Sequence, residues 1–476
     1  MMLPIAAFGV GLGLAAHPAG GAQKALPALR VSADRSHLMA GPRKPFFWLA
    51  DTAWWRFRLQ PAEATEYLGR RAAQGFTVVQ VHSAYSMPDF AGRRPAIDGD
   101  PERPDEAYWA NMDRIVREAA AAGLYVALVP MWGQEYAQAF RGDAQRARRF
   151  GRWIGARYAR SSNVVWIASG EYDGINDFRL PISAEQKAVL TAAAEGIREA
   201  TGGQQLMTIH PGAARASSRD FHDAPWLDLN MLQSGHVVDA EAFGMEENHT
   251  LIRADRARTP RKPALDGEPI YEDTPDGIWI VGDIQRPRAD GAAVRRKAYW
   301  SVMAGACGHT YGHNDVYCFN IPRGQGHVVG LPEGPGQRGH WRQALDAEGA
   351  TQMRHLRALV ESRPAFASHV ADQDLIAQPP GRGMQHIAAA RASDGRCAMV
   401  YLPAGGRVSV AAGRLTAKRV RATWFDPRTG KETPGGVLEG GGVHAMTAPS
   451  AGEGQDWVLV IDEQPRRPGS PRSGGT

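Results

Sequence analysis

Between Pro45 and about Tyr317 the chain alternates short apolar runs with longer stretches of helical periodicity, and it does so eight times. The apolar runs are FFWLAD (Phe46–Asp51), FTVVQVHSA (Phe76–Ala84), LYVALVPMW (Leu124–Trp132) and NVVWIAS (Asn163–Ser169). They continue with LMTIHP (Leu206–Pro211), LDLNMLQ (Leu227–Gln233), PALDGE (Pro263–Glu268) and GHTYGH (Gly308–His313). Their β-branched and aromatic content suits buried strands. Between them lie segments such as PAEATEYLGRRAAQ, with Pro61 in the first turn and Gly75 just past the end, as helix punctuation requires. Eight strand–helix units over roughly this length predict an α/β fold, a (β/α)8 TIM barrel. The rival, a doubly wound open sheet, usually carries a Gly-rich phosphate turn after an early strand, and none is present.

The texture then changes. After a Gly/Pro-rich passage (Asn320–His340) and one helix near Glu348–Ser362, the runs DLIAQ, MQHIAAARA, RCAMVYLP, RVSVAA, RVRATWFDP and DWVLVID read as short strands between turns. The barrel is therefore assigned to 25–364 and a small all-β sandwich domain to 365–463, with a disordered Pro/Arg/Ser/Gly tail at 464–476. At the other end, Leu3–Ala16 is an apolar stretch followed by small residues, too short to span a bilayer. Residues 1–24 are read as a signal peptide, and the protein as exported to the periplasm or beyond.

The 476 residues carry a net charge of +5, but the 55 Lys and Arg are scattered, with no basic run mixed with aromatics. No nucleic-acid partner and no membrane insertion are expected, and the oligomeric state is not legible. Three cysteines (Cys307, Cys318, Cys397) are too few and too irregular for a disulfide scaffold or a zinc site. His309 and His313 are four residues apart but lack helical context and a Glu in a metal-site pattern. No metal and no cofactor are expected.

Active sites of such barrels lie at the C-terminal ends of the strands. The polar residues collected there are Asp51, His82, Trp132, Glu171, Asp173, His210, Gln233, Glu268, Tyr311 and His313, with Trp54 and Tyr172 beside them. Burying an unpaired carboxylate costs several kcal/mol, so Glu171 and Asp173, where a core strand surfaces, need water, partners or a task. A glycosidic bond breaks when one carboxylic acid protonates the leaving oxygen while another carboxylate attacks carbon or activates water. Glu171 after the fourth strand and Glu268 after the seventh suit that pair. Asp173 competes with Glu171, and Glu272 with Glu268; on position the strand-end residues are preferred. Trp54, Trp55, Trp132 and Trp226 fall where indoles can stack on sugar rings, a role that competes with ordinary packing.

Several of these stretches together resemble the apiosidase-like glycoside hydrolases. They are GPRKPFFWLADTAWW (Gly41–Trp55), AYWANMDRIVREAAAAGLYVALVPMWG (Ala107–Gly133), NVVWIASGEYD, KPALDGEPIYE and AYWSVMAGACGHTYGHNDVY (Ala298–Tyr317). RATWFDPRTGKE (Arg421–Glu432) resembles the small β domain, named for collagen binding, that is appended to many of these proteins; no collagen contact is read from it. The resemblance implies a barrel of the large retaining-glycosidase clan, with the acid/base on Glu171 and the nucleophile on Glu268. It also implies an oligosaccharide or glycoside substrate from a plant or microbial glycan. Ser169-Gly170-Glu171 departs from the family's Gly-Gly-Asp and from the clan's usual Asn before the acid, so the resemblance does not carry apiose over as the substrate. In a retaining enzyme the two carboxyl groups stand about 5–5.5 Å apart. Two other classes remain open from the sequence: a non-catalytic carbohydrate- or matrix-binding protein, and a metal-dependent barrel hydrolase.

Overall fold

The computed structural model describes residues 25–83, 87–174, 181–322 and 334–463. The signal-peptide reading (1–24), the tail (464–476), Ala84 at the end of the second run and part of the Gly/Pro-rich passage lie outside the described residues.

Each of the eight apolar runs contains a strand. They are β1 (Trp48–Thr52), β2 (Val78–His82), β3 (Tyr125–Val129), β4 (Val164–Ile167), β5 (Met207–Thr208), β6 (Asn230–Gln233), β7 (Ala264–Asp266) and β8 (Gly308–Tyr311). All eight belong to one curled sheet in the order β5-β4-β3-β2-β1-β8-β7-β6, with Arg215–Ala216 as a ninth, antiparallel strand on β6. The first strand pairs in parallel with both the second and the eighth, which fits a (β/α)8 barrel. At the two ends of this order the Asp228 N–H donates to the Met207 carbonyl at 2.9 Å, and Thr208 Oγ1 donates to the Leu229 carbonyl at 2.9 Å.

Alternation along the strands divides the core in two. Leu49, Val79, Val126, Val164 and Trp166 pack with helix residues such as Ile115 and Ile154. Ala50, Val78, Ala127, Val165, Ile167, Met231 and Leu265 gather instead with one another, on the inner face of the curl. The strands are buried on both faces, which is why they read as continuous apolar runs. Outside them run α1 (Pro61–Ala73), α2 (Glu106–Ala121), α3 (Gly133–Phe140), α4 (Ala144–Tyr158), α5 (Ala184–Thr201), α6 (Asn248–Arg256), α7 (Gly291–Met303) and α8 (Glu348–Glu361). In α4 the buried Ala147, Phe150, Gly151, Ile154, Gly155 and Tyr158 recur at helical spacing, with Gly151 and Gly155 close against Ala193 and Ile197 of α5. After β5 the helix shrinks to one turn, Ser218–Phe221.

The C-terminal strands are β9 (His369–Ala371), β10 (Ala388–Ala392), β11 (Cys397–Leu402), β12 (Gly405–Ala411), β13 (Arg419–Phe425), β14 (Glu432–Glu439), β15 (Val443–Ala451) and β16 (Trp457–Glu463). Six form a sheet in the order β9-β10-β11-β16-β13-β14, and β12 pairs with β15. The two sheets make a sandwich, with Val408, Val410, Met446 and Ala448 packed on Ala398, Val400, Leu459 and Ile461. The run DLIAQ is not a strand; Gln373–Leu375 is a single 3-10 turn. The sandwich docks on α7. Arg295 forks onto Asp456 at 2.8 and 3.2 Å with both side chains buried, Tyr299 stacks on Tyr401 at 4.9 Å, and Trp300 Nε1 donates to the His386 carbonyl at 2.8 Å.

Candidate active site

Both acids stand slightly beyond their strands. Glu171 lies four residues after Ile167, the last residue of β4, and Glu268 two after Asp266, the last of β7. Ala168–Gly170 carry the chain over the Trp132 indole so closely that a Cβ on Gly170 would fall inside the ring. Glu171 itself takes φ +34°, a left-handed conformation that a glutamate adopts at some cost. The chain turns sharply there, and Glu171 and Asp173 end in different surroundings.

Glu171 and Glu268 line one cavity of about 660 Å³, together with Trp54, Trp132, Gln233 and His236. His210, fully buried beneath it, links them. Its Nδ1 accepts from the Glu171 backbone N–H at 3.5 Å, and its Nε2 lies 3.0 Å from Glu268 Oε2. An accepting Nδ1 leaves the proton on Nε2, facing the carboxylate. Glu268 Oε1 meets His236 Nε2 at 3.1 Å and accepts from the Tyr271 hydroxyl, which in turn accepts from Trp54 Nε1 at 3.0 Å. A carboxylate offers about four lone-pair sites. Three face donors here, which leaves one on Oε2.

The two acids differ electrostatically. Burial, and then the negative charge of Glu268, push the Glu171 carboxyl above the usual carboxylate range; among the described residues its side-chain hydrogen-bond partner is the Gln233 amide at 3.3 Å. Burial opposes ionisation of Glu268 too, but the contacts and charges of His210 and His236 outweigh it and hold that carboxyl well below the usual range. His210 is raised by the same pairing, against the effect of its burial. A protonated acid beside an ionised carboxylate is the arrangement that acid-assisted cleavage with nucleophilic attack requires.

The other sequence-selected residues separate into supports and outsiders. His82 stacks behind Trp132 at 5.0 Å, and its Nε2 lies 2.8 Å from Glu135 Oε2, which also accepts the Trp132 backbone N–H. Asp173 is locked by Arg215 and Arg219, each at 3.0 Å, and by the Gly212 N–H at 2.6 Å. Tyr172 turns into the core, its hydroxyl on Asp220 at 2.8 Å and its ring against Phe221. Asp51 is fully buried against Arg71 and Tyr67. Tyr311 donates to Glu272 at 2.6 Å, and Glu272 also accepts the Gly349 N–H at the start of α8. His313 accepts the Asp315 N–H and lines a separate depression with Glu272. Trp226 packs on Phe221, whereas Trp55 joins the cavity wall. Sequence reading passed over His236, Tyr271, Tyr317 and Trp279. His236 and Tyr271 each stand three residues after a selected strand-end residue, Gln233 and Glu268, and a wider window would have included both.

Comparison with known proteins identifies the family. The sequence model of the "Apiosidase-like, catalytic domain" matches residues 32–367, and that of the "Putative collagen-binding domain of a collagenase" matches 370–462. A solved structure titled "Glycoside hydrolase" is 32% identical, covers 92% of this chain and 97% of its own, and superposes with a TM-score of 0.81. A glycoside hydrolase family 5 protein from Bacteroides vulgatus ATCC 8482 is 30% identical, with 92% and 93% coverage and a TM-score of 0.81. A family 5 mannosidase from Rhizomucor miehei, at 11% identity, 72% and 99% coverage and a TM-score of 0.51, shares the fold alone. The comparison with curated proteins gives no match. Fold and matches together define a glycoside hydrolase. Within that class the chain belongs to the apiosidase-like family, carrying its catalytic domain and the β domain that follows it.

Proposed function

We propose that the protein is an exported, retaining glycoside hydrolase acting on a plant or microbial glycan, with Glu171 as acid/base and Glu268 as nucleophile. The observation that carries this reading is the opposite setting of two carboxyls in one cavity, one raised above the usual carboxylate range by burial and a negative neighbour and one held below it by its histidine contacts, with His210 between them. Glu268 Oε2 attacks the anomeric carbon while Glu171 gives its proton to the leaving oxygen, so the departing alcohol is neutral. Glu171, now a carboxylate, takes a proton from water. That water's oxygen attacks the glycosyl-enzyme, the bond to Glu268 breaks, and the sugar leaves as its hemiacetal. Tyr271 and His236 hold Glu268 in line, and the Trp54 and Trp132 rings form the sugar-facing wall.

A closed (β/α)8 barrel belongs to this reading, supported by the hydrogen bonds that join β5 to the approach of β6. Export rests on the apolar Leu3–Ala16 and the small residues after it. Hydrolysis of a panel of glycosides, followed by proton NMR of the first-formed product, tests the mechanism. Retained anomeric configuration is expected; inversion would remove Glu268 as nucleophile, and no hydrolysis of any glycoside would remove the function. N-terminal sequencing of secreted protein tests export, with a start near residue 25 expected.

A further inference from the structure

Half of the large hydrophobic side chains exposed among the described residues lie in one short stretch: Trp279 (57% exposed), Ile280 (56%), Val281 (50%) and Ile284 (51%). Their concentration is what needs explaining, because single exposed apolar residues are ordinary on a protein surface and clusters are not. Ile278–Val281 form one helical turn between Gly277 and Gly282, both in the left-handed region at φ +70° and +71°. The turn is pinned from below. The Gly277 N–H donates to the His236 carbonyl at 3.0 Å, Phe243 packs against Gly277, and Asp276 accepts the Val238 N–H at 2.7 Å. A fixed underside and a bare top make a platform.

Its position joins it to the candidate site. Trp279 and Ile280 line the same cavity as Glu171 and Glu268, and with Ala213, Ala214 and Met245 they form the wall supplied by the loops after β5, β6 and β7. The Trp279 ring lies 6.1 Å from that of His236, which itself contacts Glu268. Glu171 takes its amide partner from Gln233 at the end of β6, so its carboxyl leans toward this wall. The oxygen that Glu171 protonates belongs to the leaving group, and the leaving group therefore extends along these residues. Among the five side chains, only the Trp279 indole offers an N–H. A sugar seated here would turn hydroxyls onto side chains that offer them few partners, whereas an aromatic ring brings no hydroxyl to satisfy and matches the apolar face.

We propose that this wall is the leaving-group subsite and that it takes an aromatic aglycone, which makes aryl-bearing glycosides the substrate class. This rests on the reading of Glu171 as the acid. The test uses the 2-phenylethyl and ethyl glycosides of the sugar released in the hydrolysis panel, both with alcohol leaving groups of similar acidity. For the wild type we expect a KM for the 2-phenylethyl glycoside roughly tenfold or more below that of the ethyl glycoside. The ratio should approach one in Trp279→Ala/Ile280→Ser. A wild-type ratio near one, or a ratio unchanged in the variant, would overturn the proposal.

Calorimetric titration with free 2-phenylethanol reads the wall without turnover. Binding to the wild type that is lost in the variant supports the subsite even if no glycoside is hydrolysed, in which case only the catalytic reading falls; no binding counts against it. If the wild type sediments as a dimer and the variant as a monomer, the patch belongs to a second copy and the proposal fails.

Discussion

The ends of β4 and β7 each present two carboxylates a few residues apart, and they handle them in different ways. Past β4 the outer acid, Asp173, is the one tied to cations, gripped by Arg215 and Arg219, while the inner Glu171 carboxyl accepts from the Gln233 amide. Past β7 the inner acid, Glu268, faces two histidines and a tyrosine, while the outer Glu272 caps the start of α8 and takes the Tyr311 hydroxyl. At Glu268 the contacts of His210 and His236 outweigh burial and hold the carboxyl below its usual range, whereas at Glu171 burial and a negative neighbour raise it. Role follows partners rather than residue type, since three of these four acids are glutamates.

Replacing each acid sharpens the contrast. Glu268→Ala should lower kcat/KM by on the order of 10⁴-fold or more, because no covalent intermediate can form. Glu171→Gln should cost roughly 10²–10⁴-fold on alkyl glycosides and much less on glycosides whose leaving group needs no proton. Equal losses on both would break the assignment of Glu171 as acid. Next comes pH. The rate needs Glu171 protonated, so it should fall as pH rises through that group's raised pKa, and it should fall at low pH as Glu268 gains a proton. In Glu268→Gln the negative neighbour is gone, and a carbon-13 titration should find the Glu171 pKa displaced downward. The outer acids should report on folding instead. Asp173→Asn breaks a buried pair and should lower stability to urea by about 3 kcal/mol. Glu272→Gln should lower it by about 1–2 kcal/mol, with kcat/KM within a few-fold of wild type.

The sheet of the first domain was legible because strands buried on both faces leave unbroken apolar runs. β14 and β15 were not. ETPGGVLE carries Pro and two Gly and is exposed along nearly its whole length, and VHAMTAPSA puts His444 and Ser450 beside Met446 and Ala448 on its inner face, so no apolar run or alternation stands out. The strands after which Glu171 and Glu268 stand could be named from position alone. Their separation from Asp173 and Glu272 could not, because it depends on the turn at Glu171 and on arginines some forty residues later in the chain. Asp51, Tyr311 and His313 met the same strand-end criterion, but their partners lie on α1, at Glu272 in the loop after β7 and in the backbone just after His313. A strand end marks where chemistry can sit without saying toward which side a side chain turns.

The close approach of the Trp132 ring to Gly170 makes the side chains allowed at these two positions depend on each other. In a relative that keeps this backbone, a side chain at the residue before the acid requires the indole to give way first. A large ring at position 132 likewise holds its neighbour to glycine. We expect the pair to change together: sequences related to this one should divide into those with the broad indole floor and those with a polar residue ahead of the acid, and sequences that hold both should be rare.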